Sequence, residues 1–321
     1  MKLGFFTDTH SRFETPEERT DNFFKSLMVK LSEVGQIFAD EEVDAVLFGG
    51  DLYDSDNVAK SVITAMQTEL RTWHQSIYGV VGSHDYIGYQ MKSLKSTALG
   101  ITESAGIIQL IGGAGHDAYI KLPDSNIVVV GTPHIRTFTD SLDNMYTPLY
   151  EKDTFQIQVV HGDLNDKSVP WPHILVQDGL TDSHLVLSGH YHPGWKEMIV
   201  KKAKTSENKV KYINPGAIAR MKNTGVQRRP RVCILTIEGM LCQHKFIELK
   251  SAIEHPFLPK EKKEEEMPML DVQKFLELIG RNEVTAVDIK AQLPEVAKEY
   301  GFSEEVVKVA FELIDEEEDE S

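Results

Sequence analysis

Aspartate and histidine gather at a few points in this sequence, and each point follows a short apolar run. Asp8-Thr9-His10 comes after the run at 3–7, Gly50-Asp51 after 45–48, and Gly82-Ser83-His84-Asp85 after 77–81. His161-Gly162 and Gly189-His190-Tyr191-His192 close two further runs. A carboxylate and an imidazole two residues apart beyond a strand can converge on one cation, and a carboxylate with two oxygens can bridge a pair of them. A glycine before the carboxylate lets the backbone turn tightly. Any one of these sites is common by chance; five in chain order are not. The mixed nitrogen and oxygen donors suit manganese, iron or zinc better than magnesium or calcium, which prefer oxygen alone. The other histidines (His74, His116, His134, His173, His184, His244 and His255) lie outside these points and read as surface or satisfied structural residues.

Such groups need a sheet to position them. Runs rich in Val, Ile and Phe alternate with helical patterns at 23–38 and 58–73, then follow one another more closely at 127–130, 156–160, 185–187 and 210–213, with a hairpin over 232–249. The pattern predicts an α/β chain built on mixed sheets. Open α/β sheets bind ligands beyond the carboxyl ends of their strands, so sites distant in sequence can meet in one crevice.

A chain of 321 residues, 41% hydrophobic, is long enough for one large core with an appendage or for two modest domains. The net charge of −16 argues against a bulk positive surface that grips nucleic acid. Most of that charge is local: residues 260–321 hold 8 basic and 19 acidic residues, which leaves −5 on residues 1–259. The charged stretch 260–267 lies between Pro259 and Pro268 and has the character of a linker. Beyond it, Phe275, Leu276 and Ile279 mark one short helix. Val306, Val307, Ala310, Phe311, Leu313 and Ile314 mark another, with Ser303 as its N-cap. The expected organisation is therefore a catalytic domain over 1–259, a linker over 260–267, and a helical docking module with an acidic tail over 268–321. Cys233 and Cys242 match neither a zinc ribbon nor a disulfide framework, and reduced thiols in a cytoplasmic protein are expected. The N-terminal apolar run is too short for a signal peptide and no window reaches membrane-spanning length, so neither secretion nor membrane insertion is expected.

As a set, Asp8-Thr9-His10, Gly50-Asp51-Leu52-Tyr53-Asp54, Gly82-Ser83-His84-Asp85, His161-Gly162 and Gly189-His190-Tyr191-His192 resemble the signature of the calcineurin-like metallophosphoesterases, over residues 1–250. The resemblance implies a sandwich of two mixed β-sheets flanked by helices, and two-metal hydrolysis of phosphoesters. Three features are most similar to the SbcD-type nuclease subunit of bacterial and phage recombination complexes: the Gly-Asp-Leu-Tyr-Asp form, the strand after the histidine pair, and the helical tail. By that likeness Asp8, His10, Asp51 and His192 bind one metal, with Asp51 as the bridge, and His161, His190 and Ser83 bind the second. His84 would protonate the leaving oxygen or stabilise transition-state charge, with Asp85 orienting its ring. The cofactors would be two divalent ions, manganese foremost, with magnesium, iron or zinc as alternatives. The likeness also implies DNA as substrate for exo- or endonuclease action, an ATP-binding-cassette coiled-coil partner, and a homodimer. A small-substrate phosphodiesterase or a protein phosphatase would share the same core. Ser83 departs from the pattern, since the family normally has asparagine there as a carbonyl ligand. A serine hydroxyl is shorter and a poorer ligand, which implies a weaker second site and leaves room for a non-catalytic scaffold.

Several residues carry two readings. Asp54 either bonds backbone amides after its turn or supports the metal ligands. Asn214-Pro215-Gly216 either faces phosphate or is an ordinary turn. Tyr86, Tyr89 and Trp195 either stack on bases or pack. Arg220, Lys222, Arg228, Arg229 and Arg231, like Lys201, Lys202 and Lys204, either contact phosphates or solvate a loop.

Overall fold

The computed structural model describes residues 1–113, 115–222, 228–253 and 256–257. The linker expected at 260–267 and the helical module expected at 268–321 lie outside the described residues. Met1–Ser168 and Pro172–Phe257 form one compact unit.

Strands β1 (Lys2–Phe6), β2 (Ala45–Phe48), β3 (Ser76–Gly79) and β4 (Ile108–Leu110) run parallel in that order. A second sheet takes β5 (Tyr119–Lys121), β6 (Ile127–Thr132), β7 (Phe155–Val160), β10 (Leu185–Ser188), β11 (Ile199–Lys202) and β12 (Lys209–Ile213). Between β7 and β10 the short strands β8 (Leu164–Asn165) and β9 (Ile174–Leu175) pair with each other. The final hairpin, β13 (Arg231–Glu238) and β14 (Leu241–Glu248), returns to the first sheet, where β13 lies antiparallel to β1. The orders are β14-β13-β1-β2-β3-β4 and β11-β12-β10-β7-β6-β5. In the second sheet β6, β7, β10 and β12 are parallel, while β5 and β11 pair antiparallel at its edges. Both sheets are mixed, as expected.

Period-2 alternation assigns the faces. In β1, Leu3 and Phe5 join one apolar core together with Ala45 and Leu47 of β2 and, from the second sheet, Val129, Ile157, Val159, Leu185, Leu187 and Ile213. Phe6, Val46 and Phe48 point the other way, into a core shared with the helices α1 (Phe23–Asp40) and α2 (Lys60–Thr72). Helix α1 begins where the Asn22 side chain accepts from the Lys25 amide, and it buries Phe23, Leu27, Leu31, Val34 and Phe38 along one stripe. Gly4 admits that helix, because a Cβ there would lie 2.6 Å from the Phe38 ring. The cysteines are free and buried on β13 and β14. No described helix is long and apolar enough to cross a membrane.

The short elements β4, β5, β11 and α3 (Ala98–Ser104) were not expected from the sequence, because three to seven residues are too few to show a period. Strand β11 explains part of the basic run: Lys201 and Lys202 sit on an edge strand, where lysine discourages pairing with another chain.

Candidate metal centre

Each chemical group leaves the carboxyl end of a parallel strand. Strand β1 delivers Asp8 and His10, β2 Asp51, β3 Ser83 and His84, β7 His161, and β10 His190 and His192. Asp8, His10, Asp51 and His190 all adopt positive φ, at 54°, 42°, 57° and 71°. The left-handed region costs an L-residue with a Cβ about 1–2 kcal/mol, and such strain persists only where surrounding bonds enforce it. Here the Asp51 carbonyl accepts from the amides of Thr9 and His10, and the Gly50 carbonyl accepts from that of Asp8. Close approach also dictates two glycines. A Cβ on Gly50, itself at φ 98°, would lie 2.3 Å from His161 Nδ1, and one on Gly82 would lie 2.1 Å from Asp51 Oδ1.

Among the described residues, three groups of donors could each hold a cation: Asp8, His10 and His192; His10, Asp51 and His84; and Asp51, His161 and His190. Asp51 is central. Its Oδ2 lies 3.6 Å from His10 Nε2 and 3.2 Å from His161 Nε2, and it accepts from Ser83 Oγ at 3.2 Å. Its Oδ1 accepts from the His84 amide at 2.8 Å. His10 Nε2 and His192 Nε2 face each other at 2.9 Å, with Asp8 Oδ1 at 3.8 Å from the first and 3.5 Å from the second. Asp8 is fixed in turn by Thr7 Oγ1 at 2.5 Å and by the His190 amide. Ring nitrogens turned toward one another beside buried carboxylates form a donor set that fits borderline divalent cations.

Every predicted site residue is at this centre, although Asp85 has a different task. Its carboxylate accepts from the amides of Gly82 at 2.8 Å, Asp51 at 2.9 Å and Leu52 at 3.2 Å, and it does not touch the His84 ring. The His84 orienter is instead the Asp54 carbonyl, 2.7 Å from Nδ1. The Asp54 carboxylate takes Arg12 at 2.8 Å and stands 3.3 Å from His10 Nδ1, near enough for attraction but off the axis of a hydrogen bond. Asp54 therefore supports His10 as well as His84.

Other double readings also resolve. Gly216 N donates to Asn214 Oδ1 at 2.7 Å, which makes Asn-Pro-Gly a turn, and this turn receives the histidine-pair loop through Trp195 N to Asn214 O and Ala217 N to His192 O. Tyr86 and Trp195 are buried and pack rather than stack on bases. Three of the five basic residues at 220–231 are engaged by backbone carbonyls. Arg220 donates to the Ile253 carbonyl, Arg228 to those of Pro193 and Arg229, and Arg231 to those of Pro215 and Trp195. These arginines fasten loops, because a guanidinium with five donors satisfies carbonyls that no ladder reaches.

The structure adds His134 and Asp163 to the residues that the sequence marks. His134 reads in the sequence as a structural histidine, yet it stacks on His190, and Asp163 Oδ2 lies 3.1 Å from His190 Nε2. Both lie just past the carboxyl ends of β6 and β7, so the strand-end criterion could have found them.

Electrostatics follow from burial and these contacts. Burial alone would lower the pKa of His10, but Asp54, Asp8 and Asp51 outweigh it and hold the ring at about 10. Burial likewise opposes, and Asp51 and Asp8 overcome, in raising His161 to about 9. Asp51 is held well below the usual range: burial pushes it up, and His161, His10 and His84 pull it down further. Without metal, then, both histidines carry protons at neutral pH, and a ligand must shed its proton. Metal loading at pH 7 is expected to release about two protons from this pair, with affinity rising as pH rises toward 9–10. Calorimetry in buffers of different ionisation enthalpy measures the count; zero release would remove these rings from the ligand set.

A family model for calcineurin-like phosphoesterases matches residues 1–213. No curated protein matches the chain. Among solved structures it is similar to a dimetal phosphatase from Danio rerio, with 12% identity and a TM-score of 0.46 over 78% of this chain and 99% of that one. It is similar also to a protein from Thermus thermophilus, with 11% identity and a TM-score of 0.43 over 76% of this chain and 97% of that one. A conserved uncharacterized protein from Streptococcus pneumoniae shares 14% identity, with a TM-score of 0.32 over 80% and 92% of the two chains. These likenesses are distant, and the sequence match over 1–213, well over half the chain, is what decides: the chain belongs to the calcineurin-like phosphoesterase family, which makes it a metal-dependent phosphoester hydrolase.

Proposed function

We propose that this chain is a two-metal phosphodiesterase that cleaves DNA, as the hydrolytic subunit beside an ATP-binding-cassette coiled-coil partner. The observation that carries the two-metal reading is the convergence of donors on Asp51 from both sheets. Asp8, His10, Asp51 and His192 would hold one cation; Asp51, His161 and His190, with Ser83, would hold the other. Manganese is the proposed ion on the nitrogen and oxygen donor set. When bound, two divalent cations polarise the phosphoester and lower the pKa of the attacking water. The chain's own part is proton transfer. Asp54's carbonyl accepts a hydrogen bond from His84 Nδ1–H, which fixes the ring; in its imidazolium form the ring would give its Nε2 proton to the leaving oxygen. His84 is exposed, and His190 and His192 are partly exposed above the buried Asp8, Asp51 and His161. A phosphate within a long polymer can thus approach from solvent. The choice of DNA rests on the resemblance of the Gly50–Asp54 form to the SbcD-type nuclease subunits; the structure adds only that Asp54 supports both His10 and His84.

The test is one full-length preparation with manganese, given linear duplex DNA, single-stranded DNA, a nitrophenyl phosphodiester and a phosphopeptide. Cleavage of DNA and the diester is expected; hydrolysis of the phosphopeptide alone would overturn the nuclease reading in favour of a phosphatase. Docking of 268–314 on the partner predicts that truncation near Glu264 removes co-purification while short-DNA hydrolysis persists, and loss of hydrolysis would sink the docking idea. Homodimerisation is a further proposal, tested by the full chain's mass in solution.

Ser83 already reaches Asp51 with its hydroxyl. Ser83→Asn should supply a carbonyl oxygen at that edge, so that activity saturates at lower manganese than in the native chain. A manganese titration of both proteins decides; coincident midpoints would take Ser83 out of the second site.

A further inference from the structure

His190 is held from two sides by residues outside the proposed ligand set. Its Nδ1 lies 3.1 Å from His161 Nε2, which is itself 3.2 Å from Asp51 Oδ2, so Nδ1 is the nitrogen turned toward the second cluster of donors. Its Nε2 lies on the far edge of the ring, 3.1 Å from Asp163 Oδ2. A neutral imidazole has one proton to place. A carboxylate at Nε2 draws it there and leaves the Nδ1 lone pair free for a cation.

The face of the same ring is also covered. His134 stacks on it with centroids 5.6 Å apart and planes 26° apart. Tyr86 Oη meets His134 Nδ1 at 2.9 Å and donates to the His134 carbonyl at 3.0 Å, so the stacking ring is itself pinned. Three adjacent parallel strands bring these groups together: β6 delivers His134, β7 delivers His161 and Asp163, and β10 delivers His190. Few donors serve this side of Asp51. Ser83 offers a short hydroxyl already bonded to Asp51, and His161 and His190 are the two ring ligands. The aim of His190 therefore matters more than it would beside a full carbonyl ligand.

We propose that Asp163 is a positioning residue for the second cation, fixing His190 with its proton on Nε2 and its Nδ1 toward Asp51 and His161, while His134 fixes the plane of the ring. The proposal rests on the two-metal reading. A carboxylate partner of this kind commonly contributes 10- to 100-fold to metal affinity.

The experiment is a calorimetric titration of manganese into the metal-free full chain, followed by electron paramagnetic resonance for the coupled manganese pair. The native chain should bind in two steps. Asp163→Ala should weaken the second step by about 10- to 100-fold, leave the first unchanged, and lose the coupled-pair signal at manganese levels that fill the native protein. Asp163→Asn keeps an oxygen acceptor without the charge, so its second step should fall between the other two. This arm also serves if the alanine variant does not fold: a second step equal to the native one in both variants, or in asparagine alone where only it folds, overturns the proposal. Equal weakening of both steps overturns it as well, since Asp163 would then support the loop and not His190. A native chain that binds a single manganese overturns the two-metal reading itself, an outcome visible before any variant is compared.

Discussion

Asp51→Ala is expected to lower hydrolysis by about 10³-fold or more and to strip most of the bound metal, because several kcal/mol of charge stabilisation leave with the cations. The magnitude follows from geometry. Asp51 belongs to two of the three donor groups, and its removal leaves each of those two with two histidines and no carboxylate. Only Asp8, His10 and His192 keep a complete set. The loss is also local to the turn after β3, since the His84 amide and the Ser83 hydroxyl both give up their acceptor. Asp51→Asn separates the two effects, because it keeps an oxygen for those donors while removing the charge that two cations share. Metal content by mass spectrometry, read beside turnover, is the measurement. Full activity in either variant would end the bridging role.

His84→Ala should behave differently. Turnover is expected to fall by roughly 10² to 10⁴ with the metal content nearly unchanged, the range typical of losing a positioned general acid. His84 is exposed, its Nδ1 is taken by the Asp54 carbonyl, and its backbone amide, which alanine retains, is what contacts Asp51. Folding should be little affected for the same reasons. Yet His84 also stands within reach of His10 and Asp51 as a possible donor. The metal content of the variant therefore discriminates the roles: if a cation is lost along with turnover, His84 is a ligand and not the proton donor.

Much of this centre is legible in the sequence because ligands at strand ends need only two local features, a buried run and a polar residue just after it. Strand β2 coincides with its apolar run, and Asp51 follows its glycines directly. Helix α1 is readable from its stripe, and extends two residues past Phe38 to Asp40. The rule that strand ends share a crevice lets these groups meet, the family resemblance implies the grouping of Asp8 with His192 and of Asp51 with His161, and the two sheets bring both pairs within a few ångströms.

The sequence by itself determined which residues could bind a cation and that they would meet; it did not determine what each neighbouring residue does. Asp85 stands next to His84 in the chain, yet the turn folds its carboxylate back onto three amides, while a carbonyl thirty residues earlier orients the ring. Arginines that looked available for phosphate are engaged by carbonyls of loops that end far from them in sequence. Asp163 and His134 become partners of His190 only because β6, β7 and β10 lie side by side. The physical reason is the same in each case. Periodicity and burial are set by residues a few positions apart, and they fix which face of an element turns inward. The direction of a side chain after a strand depends on backbone angles such as the positive φ of Asp8, His10, Asp51 and His190, and those angles are held by hydrogen bonds to distant segments that exist only once the sheets have packed.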